Sequence, residues 1–247
     1  MLWPWVSRGE IYLSSRNITF LFGGKIIGTS DYWGNDEIEK TLAVLFSQAS
    51  RFNIKTYGVW LGGGVSELGV LSDIPANSSI DDMKILVEND FASQAAAGDR
   101  SMGISNPSKA GVRTWFSTSS ALLQELMETA AKNKVKIVEI APITNAVCVQ
   151  SVSDKNNSTA VSLIIESDAI SVVSENVVGL VRIQSYSNDL ELPNILERVS
   201  IQAITDTYLK RCIVARSSFD RQALELDSWN MKALKWDSRL LALDCAN

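Results

Sequence analysis

The stretch Ala160 to Ser185, AVSLIIESDAISVVSENVVGLVRIQS, constrains the fold of this chain more than any other. Leu163-Ile164-Ile165, Ala169 to Val173 and Val177 to Ile183 are β-branched, apolar runs separated by polar breaks, a pattern that predicts three short strands in a meander. The N-terminal stretch Glu10 to Trp33, EIYLSSRNITFLFGGKIIGTSDYW, follows the same plan. Ile11-Tyr12-Leu13, Ile18 to Phe22 and Lys25-Ile26-Ile27 are its three runs, with Ser15 falling opposite Ser167 and Gly28 opposite Gly179. Each meander is followed by a helical pattern and a strand. These are Asp36 to Phe52 and Lys55 to Leu61 after the first, and Leu190 to Leu209 and Arg211 to Ala215 after the second. Four elements recurring in order predict a duplicated βββαβ unit, an internal repeat that sets the architecture before any other element is assigned.

Composition excludes several kinds of function. With 46% hydrophobic and 21% charged residues, the 247-residue chain is rich enough in apolar side chains to build a core, in one large domain or two of ordinary size. A net charge of −5 without a long basic run argues against nucleic acid or anionic lipid as the main partner. The Trp residues are not interleaved with Lys and Arg as a base-stacking groove requires. No apolar run reaches the roughly 18–20 residues of a membrane span, and MLWPWVSRGE lacks the apolar centre of a signal peptide. The expectation is therefore a chain in the cytoplasm or facing it, in which the sequons at Asn17 and Asn77 are accidental. Cys148, Cys212 and Cys245 are odd in number and far apart, which fits buried thiols in a reducing compartment and suggests no metal site. Most informative is the complete absence of histidine, which removes Ser-His-Asp and Cys-His nucleophile systems and His-liganded metals. Carboxylates, Lys and Arg, Tyr and Mg-dependent phosphoryl chemistry are left.

Between and beyond the meanders the pattern is uneven. Trp3-Pro4-Trp5 reads as a hydrophobic anchor or an exposed partner contact. Asn35 is a plausible N-cap, with Asp36 and Glu37 in the first turn, and Ile38, Leu42, Leu45, Ala49 and Phe52 form one stripe. The strand Lys55 to Leu61 runs into Gly62-Gly63-Gly64. No helix with a Lys-Ser/Thr start follows, so this is not a P-loop, and a bend leaving the sheet is the preferred reading. Val65 to Ile74 predicts a strand. Ser79 then caps a helix with Ile80, Met83, Val87 and Phe91 on one face, its acids forming a solvated surface. Ala92 to Lys109 reads as a loop, Gly111 to Phe116 as a strand, and Ser119 or Ser120 as the start of a helix with Leu122, Leu126, Met127 and Ala130 inward. Val135 to Ile140 is a strand closed by Ala141-Pro142, Ile143 to Val152 a short helix, and Ser153 to Ser158 a polar turn. Phe219 to Asn247 has no clean period and yields no structural assignment.

Two βββαβ units facing each other are the frame of the actin-like fold. The opening meander and helix, GVWLGGGVSELGVLSDIP with its acidic helix, then LLQELMETAAKNKVKIVEIAP and the second meander, resemble the actin-like cytoplasmic proteins of type IV pilus and type II secretion machines. These include the PilM-type protein, the GspL-type platform protein and the platform protein of bundle-forming pili. The resemblance covers roughly residues 10–216 and rests on the order of elements, not on an invariant motif. It implies a mixed α/β (α+β) chain with an actin-like, ribonuclease H-like duplicated βββαβ core and a small inserted subdomain. Residues 1–64 and 104–150 would form the first half, 65–103 the insertion, 151–218 the second half, and 219–247 a C-terminal tail, a candidate juxtamembrane lead-in or the chain's own end.

Actin-like nucleotide binders carry Asp-x-Gly-Ser/Thr turns in the first hairpin of each half. The glycines admit phosphate to backbone N–H groups, and the Asp orients Mg²⁺ through water. Here the first turn is Ser14-Ser15-Arg16-Asn17, with neither Asp nor Gly, and the second is Glu166-Ser167-Asp168-Ala169, with acids but no Gly. Two carboxylates without glycines repel a phosphate as much as they recruit its metal, and no glycine after Gly179 serves an adenosine-binding turn. Ser14, Ser15, Glu166 and Asp168 therefore stand as degenerate phosphate-turn positions, with no catalytic residue, metal ligand or cofactor expected. The resemblance then implies a non-catalytic scaffold on the cytoplasmic face of a bacterial inner membrane. Its partners would be an assembly ATPase and platform proteins, and its membrane association would be indirect or through a helix outside this chain. Two alternatives stay open: a nucleotide-binding ATPase using Glu166 or Asp168 with Mg²⁺, and an unrelated α+β interaction protein.

Overall fold

Both meanders form. A computed structural model describes residues 8–34, 37–71, 74–75, 77–92, 99–105, 112–145, 160–166, 168–176, 179–187, 209–214 and 230–233. The first meander is β1 (Arg8–Leu13), β2 (Asn17–Phe22) and β3 (Lys25–Asp31), antiparallel throughout. The chain then crosses through helix α1 (Ile38–Ala49) to β4 (Thr56–Leu61), which pairs parallel with β1. The second meander is β9 (Ala160–Ile165), β10 (Ala169–Asn176) and β11 (Gly179–Ser187), and β12 (Leu209–Val214) pairs parallel with β9. Leu13 lies beside Leu61 in one sheet and Ile165 beside Val214 in the other. Even the turns match: Ser14 N–H donates to the Asn17 carbonyl and Glu166 N–H to the Ala169 carbonyl, both at 2.9 Å. Ser167, expected to correspond to Ser15, lies outside the described residues.

The duplication goes one strand further than the sequence pattern suggests. β8 (Lys136–Pro142) extends the first sheet parallel to β4, and β13 (Asn230–Ala233) extends the second parallel to β12. The two five-stranded sheets, β3-β2-β1-β4-β8 and β11-β10-β9-β12-β13, thus have the same order and polarity. Part of the segment 219–247, which sequence left without an account, is an edge strand. The pairing of Gly28 with Gly179 is corrected: Gly28 lies opposite Phe20 across a bulge, whereas Gly179 sits opposite Asn176 at the β10–β11 turn.

Strand alternation divides the first sheet between two cores. Ile11, Leu13, Ile18, Phe20, Tyr57, Val59 and Leu61 face the helices. Phe20, Phe46 and Tyr57 pack there with ring centroids 4.9–5.5 Å apart. The expected α1 stripe is buried at Ile38, Leu42, Leu45 and Ala49. Its N-cap is Glu37, whose carboxylate accepts the Trp33 N–H at 2.8 Å, while Asn35 and Asp36 lie outside the described residues. Helix α3 (Ser120–Lys132) starts on Ser119, whose Oγ accepts the Leu122 N–H at 3.4 Å, and buries Leu122, Leu126 and Ala130. Met127, expected inward, is exposed, since the buried stripe runs through Leu122, Leu126, Thr129 and Ala130. On the other face of the sheet, Tyr12, Leu21 and Trp60 meet Ile164, Val173 and Ile183, joining the two halves.

Between β4 and α3 a separate antiparallel sheet, β5-β7-β6, is inserted. It comprises β5 (Ser66–Leu71), β6 (Arg100–Ile104) and β7 (Arg113–Ser119), with helix α2 (Ile80–Ala92) between β5 and β6. Two expectations change. Part of the 92–109 loop is strand β6, and β7, assigned by sequence to the first half, pairs with β5 and β6 instead. Gly103 under the Phe116 ring hid β6, since a strand whose packing comes from its neighbour's aromatic shows little alternation of its own. In α2, Met83 and Val87 are buried while Ile80 is exposed. Among the described residues no helix is long and apolar enough to cross a membrane. The N-terminal Trp3-Pro4-Trp5, most of the 143–152 helix, the polar turn 153–158, the helical pattern 190–209 up to β12, and the thiols of Cys148 and Cys245 lie outside the described residues.

Candidate functional site

Three short segments converge where the halves meet: the β1–β2 turn, the glycine bend after β4, and the β9–β10 turn. The bend is tied to the first half, since Gly62 N–H continues the β1–β4 ladder by donating to the Leu13 carbonyl at 2.8 Å. Val65 and Ser66 N–H groups both return to the Gly62 carbonyl at 3.2 and 3.1 Å, making a tight loop. A side chain in this bend would collide with the second half. A Cβ on Gly62 would lie 2.5 Å from Glu166 Oε1, and one on Gly64 would lie 2.2 Å from Asp168 Oδ2. The triple glycine is therefore a bend, as expected, and it is also a close-approach surface.

The four positions singled out by sequence are brought together, in unequal roles. Ser14 closes its own turn: its Oγ accepts the Asn17 N–H at 3.0 Å, and its carbonyl accepts the buried Tyr32 hydroxyl. Ser15 N–H donates to Asp168 Oδ2 at 2.6 Å. Glu166, only 1% exposed, accepts the Tyr12 hydroxyl on Oε1 at 2.6 Å and the Gly63 N–H on Oε2 at 2.9 Å. Tyr12 and Gly63 were not singled out as partners of this carboxylate. The triple glycine was the available signal, read only as a change of direction.

Burial pushes the Glu166 carboxyl up to about 8, opposed by the hydrogen bonds from Tyr12 and Gly63 and reinforced by the negative charge of Asp168. Tyr32 is likewise raised, first by burial and then by Asp168.

Above these contacts opens a cleft of ≈ 910 Å³. Ser15, Gly63, Gly64 and Asp168 line it together with Tyr32, Ile38 and Leu122 of the first half. Glu67, Arg100 and Trp115 contribute from the insertion, and Ile183 to Tyr186 from β11. Trp115 lies across Gly69, and Arg100 is engaged by Glu67 at 3.3 Å and by Ser117 Oγ at 2.8 Å.

The chemistry follows from which donors are occupied. A phosphate seat needs backbone N–H groups aimed at open space. Here Ser15 and Gly63 N–H groups both end on carboxylate oxygens of the opposite half. An arriving phosphate would have to displace the Glu166 and Asp168 side chains from these donors. Both Glu166 oxygens already accept hydrogen bonds, so metal ligation there would break them. Among the described residues, no group of three or more Asp, Glu, Cys or His is placed to hold a metal ion.

By sequence, no protein-family model and no curated protein matches the chain. By structure, it is similar to a Bacteroides thetaiotaomicron protein of actin-like ATPase fold and unknown function (TM-score 0.65, 11% identity, covering 92% of this chain and 90% of that one). The PilM–PilN type IV pilus biogenesis complex matches with TM-score 0.64 and 8% identity over 93% of this chain and 88% of that one. The cytoplasmic domain of EpsL, an inner-membrane component of the Vibrio cholerae type II secretion system, matches with TM-score 0.57 and 11% identity over 96% and 93%. The fold is actin-like, and its structural neighbours include pilus and type II secretion proteins of the kind that the sequence resembles.

Proposed function

We propose that the chain is a non-catalytic cytoplasmic scaffold of a type IV pilus or type II secretion assembly platform, docking the assembly ATPase or inner-membrane platform proteins. One observation carries the non-catalytic part. The backbone donors that could hold a phosphate, on Ser15 and Gly63, are taken by Asp168 and Glu166. The likeness to EpsL and to PilM in its complex with PilN, over most of each chain, supports the choice of machine. A neutral to acidic chain with no basic run suits protein partners over nucleic acid.

Crosslinked pull-down of the tagged chain from native cells, membranes included, tests the docking reading. Recovery of a secretion or pilus ATPase or an inner-membrane platform protein is the expected result, and absence of both would remove it. The nucleotide-binding alternative is favoured by the ≈ 910 Å³ cleft between the halves. Thermal unfolding with Mg-ATP separates the two readings. The scaffold shows no shift, whereas a binder at a hundred times its Kd gains about 2.7 kcal/mol.

A further inference from the structure

Among the described residues, two different kinds of contact join the halves. The first is apolar: Tyr12, Leu21 and Trp60 packed against Ile164, Val173 and Ile183. Such contact resists separation but is non-directional, and packed surfaces of this kind can slide or rotate by small amounts. The second is directional and lies beside the cleft. Tyr12 Oη, Gly63 N–H and Ser15 N–H of the first half point at Glu166 and Asp168 of the second, at 2.6, 2.9 and 2.6 Å. Hydrogen bonds to a buried carboxyl group are directional, and their geometry fixes an angle. The glycine bend is shaped to them, since Gly62 and Gly64 leave no room for a Cβ beneath the two carboxylates.

The structure assigns Glu166 and Asp168 as a built-in strap: they seat the second half's own carboxyl groups on backbone donors of the first half, so that the chain itself, and not a bound anion, sets the closure of the cleft. In an actin-like frame a ligand entering this seam would bridge the halves from outside. Here the bridge is covalently part of the second half and is always present at high effective concentration. The cleft walls that would move on opening are named by the geometry. They are the bend and β5 on one side and Ile183 to Tyr186 of β11 on the other, which pack beside each other. This inference concerns how the halves are fixed and fails separately from the docking reading.

Amide hydrogen exchange of the full chain, read by NMR or mass spectrometry, tests it with two mild variants. Tyr12→Phe removes one hydroxyl, and Asp168→Ala removes the carboxylate that Ser15 meets. The expected result is exchange faster by about tenfold, jointly at Ser15, at Gly63–Leu68 and at Ile183–Tyr186, while α1 and α3 keep wild-type rates. Acceleration confined to the single amide that lost its acceptor would overturn the strap, because the halves would then be fixed by the apolar contact alone. Acceleration spread evenly over α1 and α3 would also overturn it, showing a role in the first half's own stability. Inorganic pyrophosphate added to the wild-type chain supplies the second arm. No change at Ser15 and Gly63 is expected, and dose-dependent change at both would show that an outside anion displaces the strap.

Discussion

Glu166 is a carboxyl group almost wholly removed from water, facing Tyr12, Gly63 and Asp168, and its proton affinity is raised to about 8 from an ordinary value of 4.5. Between those two values the folded chain holds a proton that the unfolded chain has released. The contribution is therefore fully present below about 4.5 and is lost as the pH rises through about 8. Glu10, raised first by burial and sitting against the Trp60 indole N–H at 2.6 Å, adds a slope of the same sign. Melting temperature measured from pH 5 to 9 should fall with rising pH. Glu166→Gln, whose amide can donate to Tyr12 and accept from Gly63, should flatten that fall and match or exceed wild type above pH 8. An unchanged slope in the Gln variant would contradict this assignment. At the neighbouring bend, Gly62→Ala forces a Cβ against Glu166, Tyr12 and the Leu13 carbonyl. Denaturant unfolding should show a loss of about 1–3 kcal/mol, as for overpacking of a closed site.

At the scale of elements, α3 was legible almost residue by residue, because a Ser N-cap and an apolar stripe are local signals. Ser119→Ala should cost about 1 kcal/mol in urea unfolding through loss of the cap. Leu126→Ala, at a fully buried position, should cost about 2–5 kcal/mol. Met127→Ala should stay within about 0.5 kcal/mol, since the side chain faces solvent and not the core. Strand β6 was not legible. Its RSMGI sequence carries little alternation, and Arg100 and Gly103 are explained only by Glu67 and Ser117 around one and the Phe116 ring over the other. Strand β13 could have been anticipated. Once the first half showed a further strand after β4, the repeat required a fifth strand after β12, and NMKA is where it lies.

For the whole molecule, the consequence of the architecture is coupling across the halves. Leu21 and Ile164 belong to one apolar cluster although they lie in different sheets, whereas Leu42 packs in the helix-covered core. Leu21→Ala and Ile164→Ala combined should therefore depart from additivity by about 0.5–3 kcal/mol, while Leu42→Ala combined with Ile164→Ala should add within about 0.5 kcal/mol. Unfolding measurements on the three single and two double variants check this. Additivity in the first pair would mean that the inter-half contact carries little of the stability.

The sequence by itself determined the repeat. Alternating β-branched runs, their turns and an amphipathic helix are written in neighbours a few residues apart, and they recur in order. It also determined what the chain lacks, histidine and phosphate-turn glycines. Which groups the acids of the second turn meet was decided only by tertiary structure. Glu166 and Tyr12 are 154 residues apart, and Ser15 and Asp168 are 153 apart. No local pattern encodes a hydrogen bond that forms only when two sheets of the same topology are packed face to face. A pair of acidic residues that reads in sequence as degenerate phosphate-turn positions becomes, in three dimensions, the acceptor for the Tyr12 hydroxyl and the Gly63 and Ser15 N–H groups.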